Sequence, residues 1–135
     1  MSFLKKWGFL LLMMNIASIT WGSSHHPQDF LKEISGSNNA GEHIVHHFCI
    51  HCHDRKPRIP VGAPRIGVTS DWEPRVKRGL DVLFKHTDEG LNAMPARGGC
   101  FECSDQQLLE AILVMLPQTM REKFSGTQKD HNKNN

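Results

Sequence analysis

Cys49, Ile50, His51, Cys52 and His53 place two thiols three residues apart with an imidazole directly after the second. This is the c-type haem attachment pattern, in which each thiol bonds a haem vinyl group and the histidine ligates iron. On one helical turn the two sulfurs reach two substituents of one porphyrin, and the next residue points its imidazole at the metal. The same spacing also suits a thioredoxin-like redox pair or half of a zinc site, because histidine is a good zinc ligand. The remaining sequence has to discriminate.

A second candidate ligand is Met94, in the run Leu91-Asn92-Ala93-Met94-Pro95-Ala96-Arg97-Gly98-Gly99 and forty-one residues beyond His53. A lone methionine usually fills a core, but one in a proline-stiffened, glycine-rich loop is placed to cross the other face of a haem. Met115 lies on the apolar stripe of a helix, where packing accounts for it, and Met120 follows Pro117, so both are poorer candidates. Cys100 and Cys103 form a second pair at the same spacing, but Ser104 follows, so no second haem of this type is expected. In an exported protein their simplest state is a local disulfide. Closing so short a loop contributes at most about 2 kcal/mol, a staple for the methionine loop and not a framework for the fold. Trp72 and Arg75 are candidates for hydrogen bonds to haem propionates; a partly buried aromatic and a surface charge account for them equally well. His43, His46 and His47 read as a solvated helix face.

These residues need elements to hold them. Ile44, Val45, Phe48, Cys49 and Cys52 make one apolar stripe, so a helix from Glu42 is expected to carry the attachment motif at its C-terminal end. Pro57, Pro60, Pro64, Gly62 and Gly67 exclude a long helix over 54–70 and predict an Ω-like loop whose rigid backbone suits a carbonyl that accepts the second NH of His53. Ser70 is a candidate cap for a helix from about Asp71, continuing through Val76, Leu80, Leu83, Phe84 and Thr87 with Gly79 as a kink or break. Gly90 ends that segment. Ser104 and Gln107 form a capping box for a last helix whose stripe is Leu108, Leu109, Ile112, Leu113 and Leu116, and this stripe is expected to pack on the first helix.

Composition narrows the class further. Lys5 and Lys6 precede an apolar run from Trp7 to Ile19 that closes in small residues, the order of a secretory signal cleaved after Gly22. The run is shorter than the roughly 20 apolar residues of a membrane span, and an uncleaved leader would leave a tether. Those two lysines account for the formal charge of +2, so the mature chain is neutral, which argues against a nucleic-acid partner. Charge is unevenly placed: residues 54–78 carry seven Lys or Arg against three acids, and 81–110 carry two against six. Such a dipole suits a carrier steered to a partner, although solvated faces produce similar blocks. The expected division is a signal peptide over 1–22, a polar lead-in over 23–41 with only Phe30 to Ile34 fit for a helical turn, a folded domain over 42–117, and a polar, disordered tail over 118–135.

The order of these parts resembles the class I c-type cytochromes, and specifically the small bacterial cytochrome c5 family, over about residues 41–117. The matching pieces are CIHCH at 49–53, GAPRIG at 62–67, WEPR at 72–75, GLNAMPARGGCFECSD at 90–105 and the final amphipathic helix. The loop DRKPRIPV after the motif is more basic and richer in proline than the family pattern. The resemblance implies an all-α fold wrapped around one covalent haem c on Cys49 and Cys52, with His53 and Met94 as axial ligands. It further implies a Cys100–Cys103 disulfide and a Pro64 carbonyl that receives the His53 NH. The implied function is one-electron transfer between periplasmic or membrane-bound redox proteins, with no enzymatic substrate. Two rivals remain: a zinc module using Cys49, Cys52, Cys100 and Cys103, and a five-coordinate haem protein that binds gas or acts like a peroxidase.

Overall fold

Residues Ala40 to His53 form one continuous helical rod: α2 (Ala40–Ile44), a π-helical turn (Val45–Cys49) and α3 (Ile50–His53). The computed structural model describes residues 26–131, so the leader expected over 1–22 lies outside the described residues. Backbone angles stay in the right-handed region across both joints, and the Ile50 N–H reaches back five residues to the Val45 carbonyl. A π turn holds one extra residue, and such turns cluster at functional sites. Here it leads from Ile44 and Val45, buried in the core, to the half-buried thiols of Cys49 and Cys52 and on to His53.

The rod crosses α6 (Asp105–Met115), as the two matching stripes require. The expected capping box starts α6: the Gln107 N–H donates to Ser104 Oγ at 3.2 Å, and the Ser104 N–H donates to Gln107 Oε1 at 2.8 Å. Its buried face is Leu108, Ala111, Ile112 and Met115, with Leu116 beyond; Leu109 and Leu113 lie on the half-buried flank. The expected stripe is thus rotated, because Ala111 lets the rod approach closely. The rod also starts two residues before Glu42, since Ala40 and Gly41 are themselves buried at the crossing.

Part of each expected flank packs on the core. The lead-in contains α1 (Pro27–Ile34), two turns with proline in the first turn. Phe30 and Ile34, one turn apart, are buried in the common core, with the Phe30 ring edge-on to His47 and Phe48. The region read as a disordered tail begins with α7 (Gln118–His131). Pro117 starts this helix as well as ending α6: Leu116 is extended before it, Met120 is buried, and Arg121 donates to the Val114 carbonyl at 2.8 Å. No described helix is long and apolar enough to cross a membrane.

Between these elements, Gly79 (φ +93°) is a break, one of the two outcomes expected of it, and separates α4 (Thr69–Val76) from α5 (Leu80–Glu89). Ser70 does not cap α4, which has Val68 at its N-cap without a side-chain bond. The loop over 54–68 folds back on the rod, with the Ile59 N–H on the His51 carbonyl at 3.0 Å and the Ile66 N–H on the His53 carbonyl at 2.7 Å. Among the described residues there is no strand, only an isolated bridge between Leu91 and Met94, and the body is all-α.

Candidate haem site

The rod, α4, α5, α6 and the Met94 loop line an open cavity of about 410 Å³. Cofactor pockets fall in roughly the 300–1,000 Å³ range. His53, Trp72, Leu83, Met94, Ile112 and Met115 are among its lining residues.

His53 is fixed before any ligand arrives. Its Nδ1 lies 2.8 Å from the Pro64 carbonyl oxygen. A carbonyl only accepts, so Nδ1 carries the proton and Nε2 keeps its lone pair. The side chain is buried, and its ring lies nearly parallel to the Trp72 indole, at 18° and 6.4 Å between centroids. Burial lowers its pKa; the Pro64 hydrogen bond opposes this, and the nearby Arg75 charge adds to it. The result is a neutral imidazole, the form that binds metals.

Met94 is held by its backbone. Its N–H donates to the Leu91 carbonyl at 2.9 Å, and its carbonyl accepts from the Leu91 N–H at 3.1 Å. The two-residue turn between them places Asn92 at φ +55°, a conformation asparagine tolerates better than most residues. Further along, Arg97 also has a positive φ of +56°, and its side chain ties three parts together. It donates to Asp88 on α5, to the Cys103 carbonyl at 2.7 Å and to Asp105 of α6 at 2.9 Å. Cys100 and Cys103 are disulfide-bonded and buried beneath this junction.

Cys49 and Cys52 are free, half-buried thiols on the rod that ends at His53. Neither lines the cavity itself. Burial, with a smaller contribution from Cys52, pushes the Cys49 thiol up to about 12, so it is held as the neutral thiol. Two free thiols at this spacing, an imidazole of fixed tautomer, a thioether and a cavity with a mainly apolar lining fit a covalently held haem.

Trp72 is not free to meet a propionate. Its indole N–H donates to the Arg65 carbonyl at 2.9 Å, the residue is buried and its ring stacks on His53, which is the buried-aromatic alternative of the two readings. Arg75 is exposed, lines the cavity and donates to the Asp71 carbonyl. His43 pairs with Glu33 of α1 at 2.8 Å and His47 packs on Phe30, so neither faces the cavity. The four-cysteine zinc module is excluded, because Cys100 and Cys103 are joined to each other. Sequence reasoning assigned Met115 to packing alone, and it does pack, but it also lines the cavity; its place on the α6 stripe gave no separate signal. Asp71, which grips Arg65 beside Pro64, was missed as well.

Comparison with known proteins points to the same class of protein. Residues 36–113 match the family model described as cytochrome C oxidase, cbb3-type, subunit III. The chain is 40% identical over 82 residues to cytochrome c5 of Ectopseudomonas mendocina, covering 59% of this chain and 90% of that one. It is 38% identical over 79 residues to cytochrome c5 of Azotobacter vinelandii, covering 57% and 92%. Cytochrome c-555 of Chlorobaculum tepidum is 30% identical over 84 residues, covering 59% and 75%. With the helical body, the attachment motif and these relatives in agreement, the chain belongs to the cytochrome c5 family of class I c-type cytochromes, electron-transfer proteins that are not enzymes and that hold a covalent haem c.

Proposed function

We propose that this cytochrome is a periplasmic one-electron carrier in which Cys49 and Cys52 form the thioethers to a single haem c and His53 and Met94 are the axial ligands. The observation that carries the reading is that a histidine with its Nε2 lone pair free and a methionine in a pinned loop line the same cavity. Bound there, haem supplies a single electron by alternating between ferrous and ferric iron, and a neutral thioether ligand favours the ferrous state. Leu83, Ile112 and Met115 give the cavity a buried apolar wall, and a haem set against it is partly withdrawn from water, which favours the less charged state in the same direction. Two protein ligands leave no position for a substrate, so exchange is outer-sphere, through brief docking with soluble or membrane-bound redox proteins.

The disulfide supports an oxidising compartment, and residues 1–22 supply the proposed cleaved export signal. The attachment and ligand residues lie within 42–117, and the uneven charge along that stretch supports electrostatic steering toward a protein partner. Replacing His53 and His51 in turn tests the proximal half. His53→Ala should destroy the low-spin spectrum while His51→Ala leaves it; equal losses would contradict the assignment. A gas-binding or peroxidase-like protein would instead bind carbon monoxide rapidly when ferrous, in the wild-type chain.

A further inference from the structure

The carbonyl that accepts from His53 belongs to the same peptide group as the Arg65 N–H. That N–H donates to Asp71 Oδ2 at 3.0 Å. One planar peptide is therefore gripped at its oxygen by the imidazole and at its nitrogen by a carboxylate. Resonance couples the two ends of a peptide, so an anion at the N–H draws negative charge onto the oxygen and makes it a stronger acceptor. We infer that Asp71 is a positioning residue for the iron-ligating imidazole, acting through the Pro64–Arg65 peptide to set how strongly His53 donates its Nδ1 proton. The inference rests on the proposed role of His53 as axial ligand.

Several contacts hold this relay in place. Asp71 also binds the Arg65 side chain, with Nε to Oδ2 at 2.8 Å and the guanidinium NH2 to Oδ1 at 3.0 Å. The next residue, Trp72, takes the Arg65 carbonyl and stacks on the His53 ring, so both polar backbone groups of Arg65 are tied to α4. The Ile66 N–H then holds the His53 carbonyl. Hydrogen bonds from Arg65 keep the Asp71 carboxyl well below the usual carboxylate range, so it stays anionic. In metal sites a carboxylate that touches the outer nitrogen of a ligating histidine makes it a stronger donor. Here a single peptide stands between carboxylate and imidazole. The Arg65 guanidinium draws on the same carboxylate oxygens and weakens the relay, so the two side chains act in opposite directions.

The test uses the reduced holoprotein and follows the His53 Nδ1 proton resonance together with the reduction potential. Asp71→Asn should move that proton upfield and raise the potential, because a weaker donor stabilises ferric iron less. Arg65→Gln, which frees the carboxylate for the peptide, should move the proton downfield and lower the potential. Glu73→Gln removes a carboxylate of the same helix that pairs with Lys77, so it reports charge at a distance. It should leave the proton in place. A His53 proton unmoved in both the Asp71 and Arg65 variants, or moved equally by Glu73→Gln, would overturn the relay. A low-spin spectrum that survives His53→Ala would overturn the ligand reading instead, and the two failures are told apart by that spectrum.

Discussion

Gly41 meets the backbone of Glu110 where the rod crosses α6: a Cβ at position 41 would lie 2.8 Å from the Glu110 carbonyl carbon and 3.0 Å from the Ala111 nitrogen. Backbone cannot step aside as a flexible side chain can, so a methyl there forces the two helices apart. Gly41→Ala should cost about 1–3 kcal/mol of stability, the usual range for overpacking, despite the better helix propensity of alanine. Denaturant unfolding of the holoprotein checks this; an equal or higher midpoint would mean the crossing is looser than described.

Gly90 does the same for the methionine loop. Its φ is +84°, and a Cβ would lie 2.8 Å from the Met94 carbonyl oxygen. Gly90→Ala should displace the loop and cost about 1–3 kcal/mol. Since Met94 moves with it, ferrous protein carrying this change should bind carbon monoxide faster than wild type, measured by flash or stopped-flow mixing. An unchanged rate would show that the loop does not control access to iron.

Much of this was legible in the sequence. The CIHCH motif, the Ser104–Gln107 box and the break at Gly90 are local signals, each written in adjacent residues, and the structure bears them out as a motif on a helix end, a reciprocal cap and a helix stop. What was not legible depends on distant contacts. Gly41 reads as a helix breaker until Glu110 is seen against it. Phe30, Ile34 and Met120 sit in polar stretches, so α1 and the start of α7 reveal their value only when the core receives those three side chains. The π turn over Val45–Cys49 has no composition cue, and Asp71 looks like a helix-start acid until its carboxylate is found on the Arg65 N–H.

The Arg65–Asp71 pair gives a pH dependence of known sign. The folded-state pKa of Asp71 is depressed, chiefly by hydrogen bonds from Arg65. Its contribution is therefore fully present above the ordinary aspartate value of about 4 and is lost as pH falls from there through the lower folded value. Thermal midpoints of wild type and Asp71→Asn should differ by a constant amount above about pH 5 and converge below about pH 4. The gap should also narrow at high salt, because the Arg65 side chain is 47% exposed. A gap that widens in acid would contradict the pairing.

Replacing Cys100 and Cys103 together by serine should remove at most about 2 kcal/mol of loop-closure stabilisation, because the closed loop is so short, with a further cost for placing two hydroxyls in a buried site. The haem should stay attached through acid-acetone extraction, since the thioethers are proposed at Cys49 and Cys52. Haem released from this variant alone would place an attachment at the wrong pair.

The ligand set is tested most directly by the near-infrared spectrum of the oxidised protein. Sulfur-ligated low-spin ferric haem has a weak charge-transfer band there, and wild type should show it. Met94→Ala should abolish the band, lower the potential by removing a soft neutral ligand, and open ferrous iron to carbon monoxide. Met115→Ala makes the comparison strict, since Met115 lines the same cavity from α6, and it should keep the band, as should Met120→Ala. A band that survives Met94→Ala but vanishes in Met115→Ala, or a wild-type protein without the band and with a potential unmoved by Met94→Ala, would contradict the assignment of His53 and Met94 as the axial pair.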